Sequence, residues 1–231
     1  MSRAAQAVQS VSVRLANPGA APPRCEAVST HDLLKAQRIA ELIAPGEAVL
    51  DVGCGCGDRL VQVSLFRPDI EATGVDVSVG WPTLFRGVKA PRLQSYDGRT
   101  LPFEDRRFDT VMSCYTLHHL SLDASAALLE EMRRCAKRRL ILLEDSVPAW
   151  SFWYQLRNWA HIVDTDIQYG SSLAYAPRRG VEGFLTRDAW CARLSALPGV
   201  RSVRFVSLDD ISRYQHHSLF VVELDGAASL R

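Results

Sequence analysis

Apolar positions along this chain switch between helical and strand spacing. Leu33, Leu34, Ile39, Leu42 and Ile43 recur at helical intervals; Ser29 or Thr30 can cap that helix, and Pro45-Gly46 ends it. Val49-Leu50-Asp51-Val52 then reads as a buried strand with an acid near its end. Gly53, Gly55 and Gly57 predict a tight turn, and Leu60, Val61, Val63, Leu65 and Phe66 an amphipathic helix after it. Residues 71–76 form a second short strand ending in Asp76, residues 93–96 a third apolar patch, and residues 108–114 a fourth strand. A helix is expected over about 124–137, a fifth strand over 140–144, and two closing strands over 200–206 and 219–224. Strands alternating with helices predict a parallel sheet covered by helices on both faces.

Strand, glycine turn and helix in that order make a nucleotide-cofactor site. Glycine lets the backbone approach a ligand, and a helix N-terminus offers free N–H groups to an anion. Charge decides which nucleotide. In a dinucleotide fingerprint counted from Gly53, the last glycine falls on Asp58. Asp51 and Asp58 would repel a diphosphate but suit a ligand carrying an ammonium and a sulfonium. S-adenosylmethionine (SAM) is such a ligand, and the helix N-terminus can take its carboxylate. Asp76 lies roughly 20 residues beyond the turn, where an acid can accept both ribose hydroxyls.

With these residues in order, the chain resembles the class I SAM-dependent methyltransferase family, in its small-molecule branch. The matching residues are Leu50-Asp51-Val52-Gly53-Cys54-Gly55, Gly74-Val75-Asp76, Asp97, Leu101-Pro102-Phe103, Phe108-Asp109 and Leu117-His118-His119, covering about residues 30–145. The resemblance implies a Rossmann-like α/β fold. Its sheet is seven-stranded and mostly parallel, with an antiparallel last strand and a helical lid insertion between strands five and six. It also implies site roles. Asp51 with Gly53, Cys54 and Gly55 of the turn would hold the methionine moiety, Asp76 with Val77 the ribose, and Asp97 with Gly98 the adenine amino group. Cys114 would lie under the sulfonium. Relatives carry a Lys-Pro-Gly-Gly turn before strand five; here Cys135-Ala136-Lys137-Arg138-Arg139 runs straight into Leu140.

Composition narrows the setting. A chain of 231 residues fits one domain, and a net charge of +1 argues against a broad nucleic-acid footprint. The run of Arg133, Arg134, Lys137 and Arg138 is expected to complement a helix C-terminal dipole rather than to bind RNA. Apolar runs stay short of a membrane span. The six cysteines lack paired metal spacing, so no metal is expected, and free thiols suggest a cytoplasmic protein. Residues 1–28, rich in Ala, Ser, Pro and Val, read as a disordered tail, or alternatively a transit-peptide-like leader, ahead of the methyltransferase domain at 29–231.

The acceptor is expected at the long insertion 145–198, which holds four of the five tryptophans and three of the six tyrosines. Methyl transfer needs a lid to align the nucleophile and exclude water. Residues 149–168 read as a helix with Phe152, Leu156, Trp159, Val163 and Ile167 on one face. The other face carries Trp150, Tyr154, Arg157, His161, Asp164 and Gln168, either lining a substrate pocket or facing solvent. His161 is the candidate general base, with Tyr154 beside it and Trp150 and Arg157 as acceptor-binding groups. His118 is a second candidate base, His119 a candidate acceptor contact. His216 and His217 open the last strand, either facing the substrate cleft or solvated, and His216 is the candidate acceptor contact.

The expectation is therefore a SAM-dependent methyltransferase acting on an oxygen, nitrogen or carbon nucleophile of a small-molecule acceptor. A tRNA- or protein-directed methyltransferase and a SAM-binding regulatory subunit are the alternatives. An NAD-dependent oxidoreductase is disfavoured by Asp51 and by the misplaced third glycine. The residues do not fix the oligomeric state.

Overall fold

The computed structural model describes residues 29–80, 88–146, 183–208, 210–211 and 217–225, together with two short strands, β1 (Ser12–Arg14) and β4 (Thr83–Phe85). The lid-helix candidates Trp150, Tyr154, Arg157 and His161, and also His216, lie outside the described residues. The main sheet has seven strands: β2 (Ala48–Val52), β3 (Glu71–Asp76), β5 (Arg92–Ser95), β6 (Phe108–Cys114), β7 (Ala136–Asp145), β8 (Val200–Ser207) and β9 (His217–Leu224). They lie side by side as β5-β3-β2-β6-β7-β9-β8, which is 3-2-1-4-5-7-6 when counted within the sheet. β9 runs antiparallel to both of its neighbours, and the pairings among β5, β3, β2, β6 and β7 are parallel. β1 and β4 pair antiparallel as a separate ribbon, so three residues of the expected tail form strand.

The period of two along each strand divides the core. Leu50, Val52, Val111, Leu140, Leu142, Phe220 and Val222 face one layer, which is filled by Leu129, Met132 and Trp190. These belong to helices α3 (Leu122–Cys135) and α4 (Arg187–Ser195). Val49, Met112, Ile141, Leu143 and Leu219 face the other layer, against Ile39 of α1 (Thr30–Ala40) and Leu60 and Val63 of α2 (Asp58–Phe66). Burial on both faces explains why the central strands read as continuous apolar runs. Trp190, expected among the lid aromatics, is 1% exposed and packs near Phe220.

Ser29, Ser121 and Thr186 cap α1, α3 and α4 through their side chains. α3 ends at Cys135 and β7 starts at the next residue, so Lys137 and Arg138 are strand residues rather than helix-end charges. Their partners are Asp109, 3.7 Å from Lys137, and Glu47, 3.7 Å from Arg138. Arg134 also has specific partners. It pairs with Glu131 and Asp105 at 2.8 Å each and donates to the carbonyls of Leu101 and Phe103, fixing the Leu-Pro-Phe loop.

Candidate functional site

The parallel strands all end at one edge, and the strand order reverses between β2 and β6. In an open α/β sheet, ligands bind in the crevice at that point. β2 leads directly into the glycine turn. Gly53, Gly55 and Gly57 have φ of 77°, 54° and 81°, a conformation that costs a side-chain-bearing residue energy. The Gly53 and Cys54 N–H groups donate to the Val75 carbonyl at 2.9 and 3.1 Å. The Gly55 N–H donates to Asp76 Oδ2 at 2.8 Å, tying the turn to the tip of β3. A Cβ on Gly53 would collide with Thr116, but a Cβ on Gly55 would meet nothing within 4 Å. Gly53 is therefore required by packing, whereas Gly55 faces open space. The residue before α2 is Gly57, which offers no side-chain cap, so the first turn of that helix is left to an incoming acceptor.

Asp51 is 1% exposed, and its Oδ1 has no hydrogen-bond partner. Burial pushes its carboxyl up to about 8; Arg59 opposes the shift and Asp76 adds to it. A buried carboxylate oxygen without a donor is costly, and a ligand ammonium would satisfy it. Asp76 accepts a second backbone hydrogen bond, from Ser78 at 3.0 Å. Next to it, Val77 is 37% exposed, and a Cβ on Gly98 would sit 2.9 Å from Val77 Cγ1. Val77 and Gly98 thus pack closely against each other, an approach that only glycine at position 98 permits. Asp97 Oδ1 accepts from Thr100 at 3.0 Å and Arg99 at 2.8 Å, and these bonds hold its carboxyl below the ordinary aspartate range. The Cys54 side chain turns inward against the Cα of Gly74 and is 9% exposed. By their chemistry these residues could hold an amino-acid ammonium at Asp51, a carboxylate at the start of α2 and a diol at Asp76.

Beyond Asp51, towards β7 and β9, the edge turns aromatic and cationic. Tyr115 follows β6 with φ of 58°, unusual for a residue of its size. Its hydroxyl is buried without a partner. The Lys35 ammonium lies 5.6 Å and the Arg59 guanidinium 5.9 Å from its ring centre. Arg59 is held by Asp32 at 3.0 Å and by Gln62 at 2.9 Å. Burial lowers the basicity of Lys35 and raises the Cys114 thiol well above its ordinary range, with Asp51 adding to the latter. His217 meets Tyr115 edge-on at 4.8 Å, and its Nε2 is 3.0 Å from Asp145 Oδ1. It is buried in the sheet edge rather than solvated.

His118 and His119 lie on a 3₁₀ turn after β6. The His118 Nδ1 is 2.6 Å from Glu144 Oε2, and Glu144 also accepts from the Leu117 N–H at 2.9 Å. The two imidazole centroids lie 4.1 Å apart, with the rings tilted by 45°. This geometry anchors the loop. Of the residues singled out from the sequence, Asp51, Gly53, Cys54, Gly55, Asp76, Val77, Asp97, Gly98 and Cys114 follow one another along the sheet edge. Lys35, Arg59 and Tyr115 were missed, and His217 was weighed only as one of two histidines opening the last strand. Two of them left a signal. Arg59 is a cation in a first helical turn, where the dipole disfavours it, and Lys35 sits four residues before Ile39, on the apolar stripe of α1.

The strand order, the antiparallel last strands and a glycine turn at the crevice define a Rossmann-like methyltransferase fold. Residues 49–139 match the family model described as "Methyltransferase domain". A demethylmenaquinone methyltransferase of Roseiflexus sp. (strain RS-1) is 36% identical over 89 residues, which span 36% of this chain and 36% of that protein. The chain therefore aligns with about a third of the length of that curated relative. Among solved structures, a putative O-methyltransferase from Nostoc punctiforme superposes with a TM-score of 0.57 at 18% identity, covering 84% of this chain and 57% of that one. Human N-acetylserotonin methyltransferase in complex with SAM superposes with a TM-score of 0.57 at 15% identity, covering 84% and 50%. In its fold and over residues 49–139 the chain is similar to the class I SAM-dependent methyltransferases, whose cofactor is S-adenosylmethionine. Among the described residues, no helix is long and apolar enough to cross a membrane, and no group of three His, Cys, Asp or Glu side chains could hold a metal ion.

Proposed function

We propose that this chain transfers the methyl group of SAM to a small-molecule acceptor. The observation that carries this reading is Asp51, a buried carboxylate with an unpartnered oxygen beside an uncapped helix start. That pair of features suits a zwitterionic amino-acid group, which SAM has and NAD lacks. When bound, SAM supplies an electrophilic methyl on a sulfonium. Asp51 takes the ammonium, the first turn of α2 the carboxylate, Asp76 the ribose hydroxyls, and Asp97 with Val77 and Gly98 the adenine. Cys114 lies nearest the reacting end. The catalytic contribution of the chain is then to position the acceptor and keep water out.

For the acceptor, we propose a ring compound bearing a hydroxyl. The identity to a demethylmenaquinone methyltransferase and the aromatic, cationic surroundings of Tyr115 support this class. The insertion, with His161, Tyr154, Trp150 and Arg157, is proposed to cover it, and His119 and His216 to border it. Calorimetry tests the cofactor half: SAM and S-adenosylhomocysteine should bind and NAD should not. Incubation with labelled SAM and a set of hydroquinones tests the other half, since label should appear in the aromatic product. NAD binding tighter than SAM would overturn the reading.

A further inference from the structure

Along the sheet edge, Asp76, Asp51, Cys114, Asp145 and His217 stand at the tips of β3, β2, β6, β7 and β9 in turn. The first two belong to the cofactor, so the next positions lie on the side from which an acceptor reaches the methyl group. That side holds two buried polar atoms without partners, the Tyr115 hydroxyl and the His217 Nδ1. The His217 Nε2 is 3.0 Å from Asp145 Oδ1. A carboxylate can only accept, so in the neutral ring Nε2 carries the proton and Nδ1 presents a lone pair. Register explains the pairing, because Asp145 and His217 are directly opposed in the antiparallel β7–β9 ladder. The next pair inward, Glu144 and Ser218, is fully buried and points to the opposite face of the sheet.

We infer that His217, oriented by Asp145, is the general base that deprotonates a ring hydroxyl of the acceptor, with Tyr115 as the aromatic wall against which that ring lies. The step balances. The hydroxyl proton passes to His217 Nδ1, the oxygen forms a bond to the methyl carbon, the carbon–sulfur bond breaks, and its electron pair stays on sulfur as a thioether. The imidazolium is offset by Asp145. The other groups facing this site are Lys35 from α1, Arg59 from α2 and Cys114 from β6. The two cations stabilise the developing oxyanion by charge alone and cannot serve as the base while protonated. The inference rests on the proposed function and adds a catalytic residue to it.

The test uses 4-nitrophenol, whose phenolate absorbs visibly, added to full-length protein saturated with S-adenosylhomocysteine below the free phenol's ionisation midpoint. The bound phenol should ionise in the wild type. In His217→Gln, which can keep the bond to Asp145, the ratio of phenolate to phenol should fall about ten-fold, the change expected when the bound phenol's pKa rises by about one unit. S-adenosylhomocysteine should bind that variant as it binds the wild type. Asp145→Asn keeps the imidazole but removes its counter-charge, and it should also lower the phenolate band; it decides the matter if His217→Gln does not fold. Equal ionisation in the folded variants, or failure of the saturated wild type to take up 4-nitrophenol, would overturn the inference. Failure of S-adenosylhomocysteine to bind the wild type would instead remove the proposed function, and this inference with it.

Discussion

Asp51 couples stability to function. Its carboxyl is raised to about 8 by burial, so the folded chain keeps a proton that the unfolded chain releases in the ordinary aspartate range. Between those limits the folded state binds more protons, so this residue's contribution to stability is full at low pH and is lost as pH rises towards 8. The expected slope from Asp51 alone is about 1.4 kcal/mol per pH unit at most. Asp51→Asn should remove that slope, leaving the ligand-free variant more stable than wild type at pH 8 while SAM binding is lost. Urea titrations at pH 6 and pH 8 check the first part and calorimetry the second; an unchanged slope would show that Asp51 ionises freely in the folded protein. Asp76→Ala should weaken SAM by roughly 1.5–3 kcal/mol, the range for a hydrogen bond to a charged group. 5′-Methylthioadenosine, which keeps the ribose but lacks the amino acid, should lose as much; if it does not, Asp76 acts on the turn rather than on the ribose. Asp51 was legible in the sequence because a lone acid among apolar strand residues has few explanations. Arg59 showed only as a cation out of place in a first helical turn; its role was hidden because its partner Asp32 lies 27 residues earlier on another helix.

At the scale of elements, the glycine turn is the sharpest test. Gly55 has φ of 54° and open space where a side chain would go. Gly55→Val should cost about 1–2 kcal/mol of stability through backbone strain and leave the fold intact. The isopropyl group would project into the cofactor's approach, so calorimetry should detect no SAM binding. A folded variant with wild-type affinity would mean that the ligand does not pass over this turn. β6 lies at 108–114, where its apolar run put it. The junction of α3 and β7 was not legible in the same way. No glycine or proline separates Cys135 from Ala136, so nothing in the sequence marks the change from helix to strand, and Lys137 and Arg138 read as helical. Trp190 was misplaced for a related reason. Aromatic residues suit a lid and a core equally, and only the packing of α4 against β9 shows which applies.

At the scale of the molecule, the cofactor edge was legible because each of its residues lies within a few positions of a glycine or a strand end. The acceptor edge was not, because it depends on which strand the chain returns beside. Asp145 and His217 meet only once β9 inserts antiparallel between β7 and β8. The same topology makes a binding prediction for the whole chain. A ligand bridging the tips of β2, β3 and β5 and the start of α2 touches both helical layers through one sheet, so loading should raise a single cooperative melting transition. At a hundred-fold excess over Kd, mass action adds about 2.7 kcal/mol. In a chain of this size each kcal/mol moves Tm by roughly 2–4 °C, so S-adenosylhomocysteine should raise Tm by roughly 5–10 °C. The ligand ammonium requires Asp51 to be ionised, and the ligand-free carboxyl holds its proton up to about pH 8. At a fixed ligand concentration, the shift should therefore be larger at pH 8 than at pH 6, with a proton released on binding at the lower pH. Calorimetry in buffers of different ionisation enthalpy measures that proton directly. A thermal shift independent of pH, with no proton released, would mean that the ammonium does not sit on Asp51.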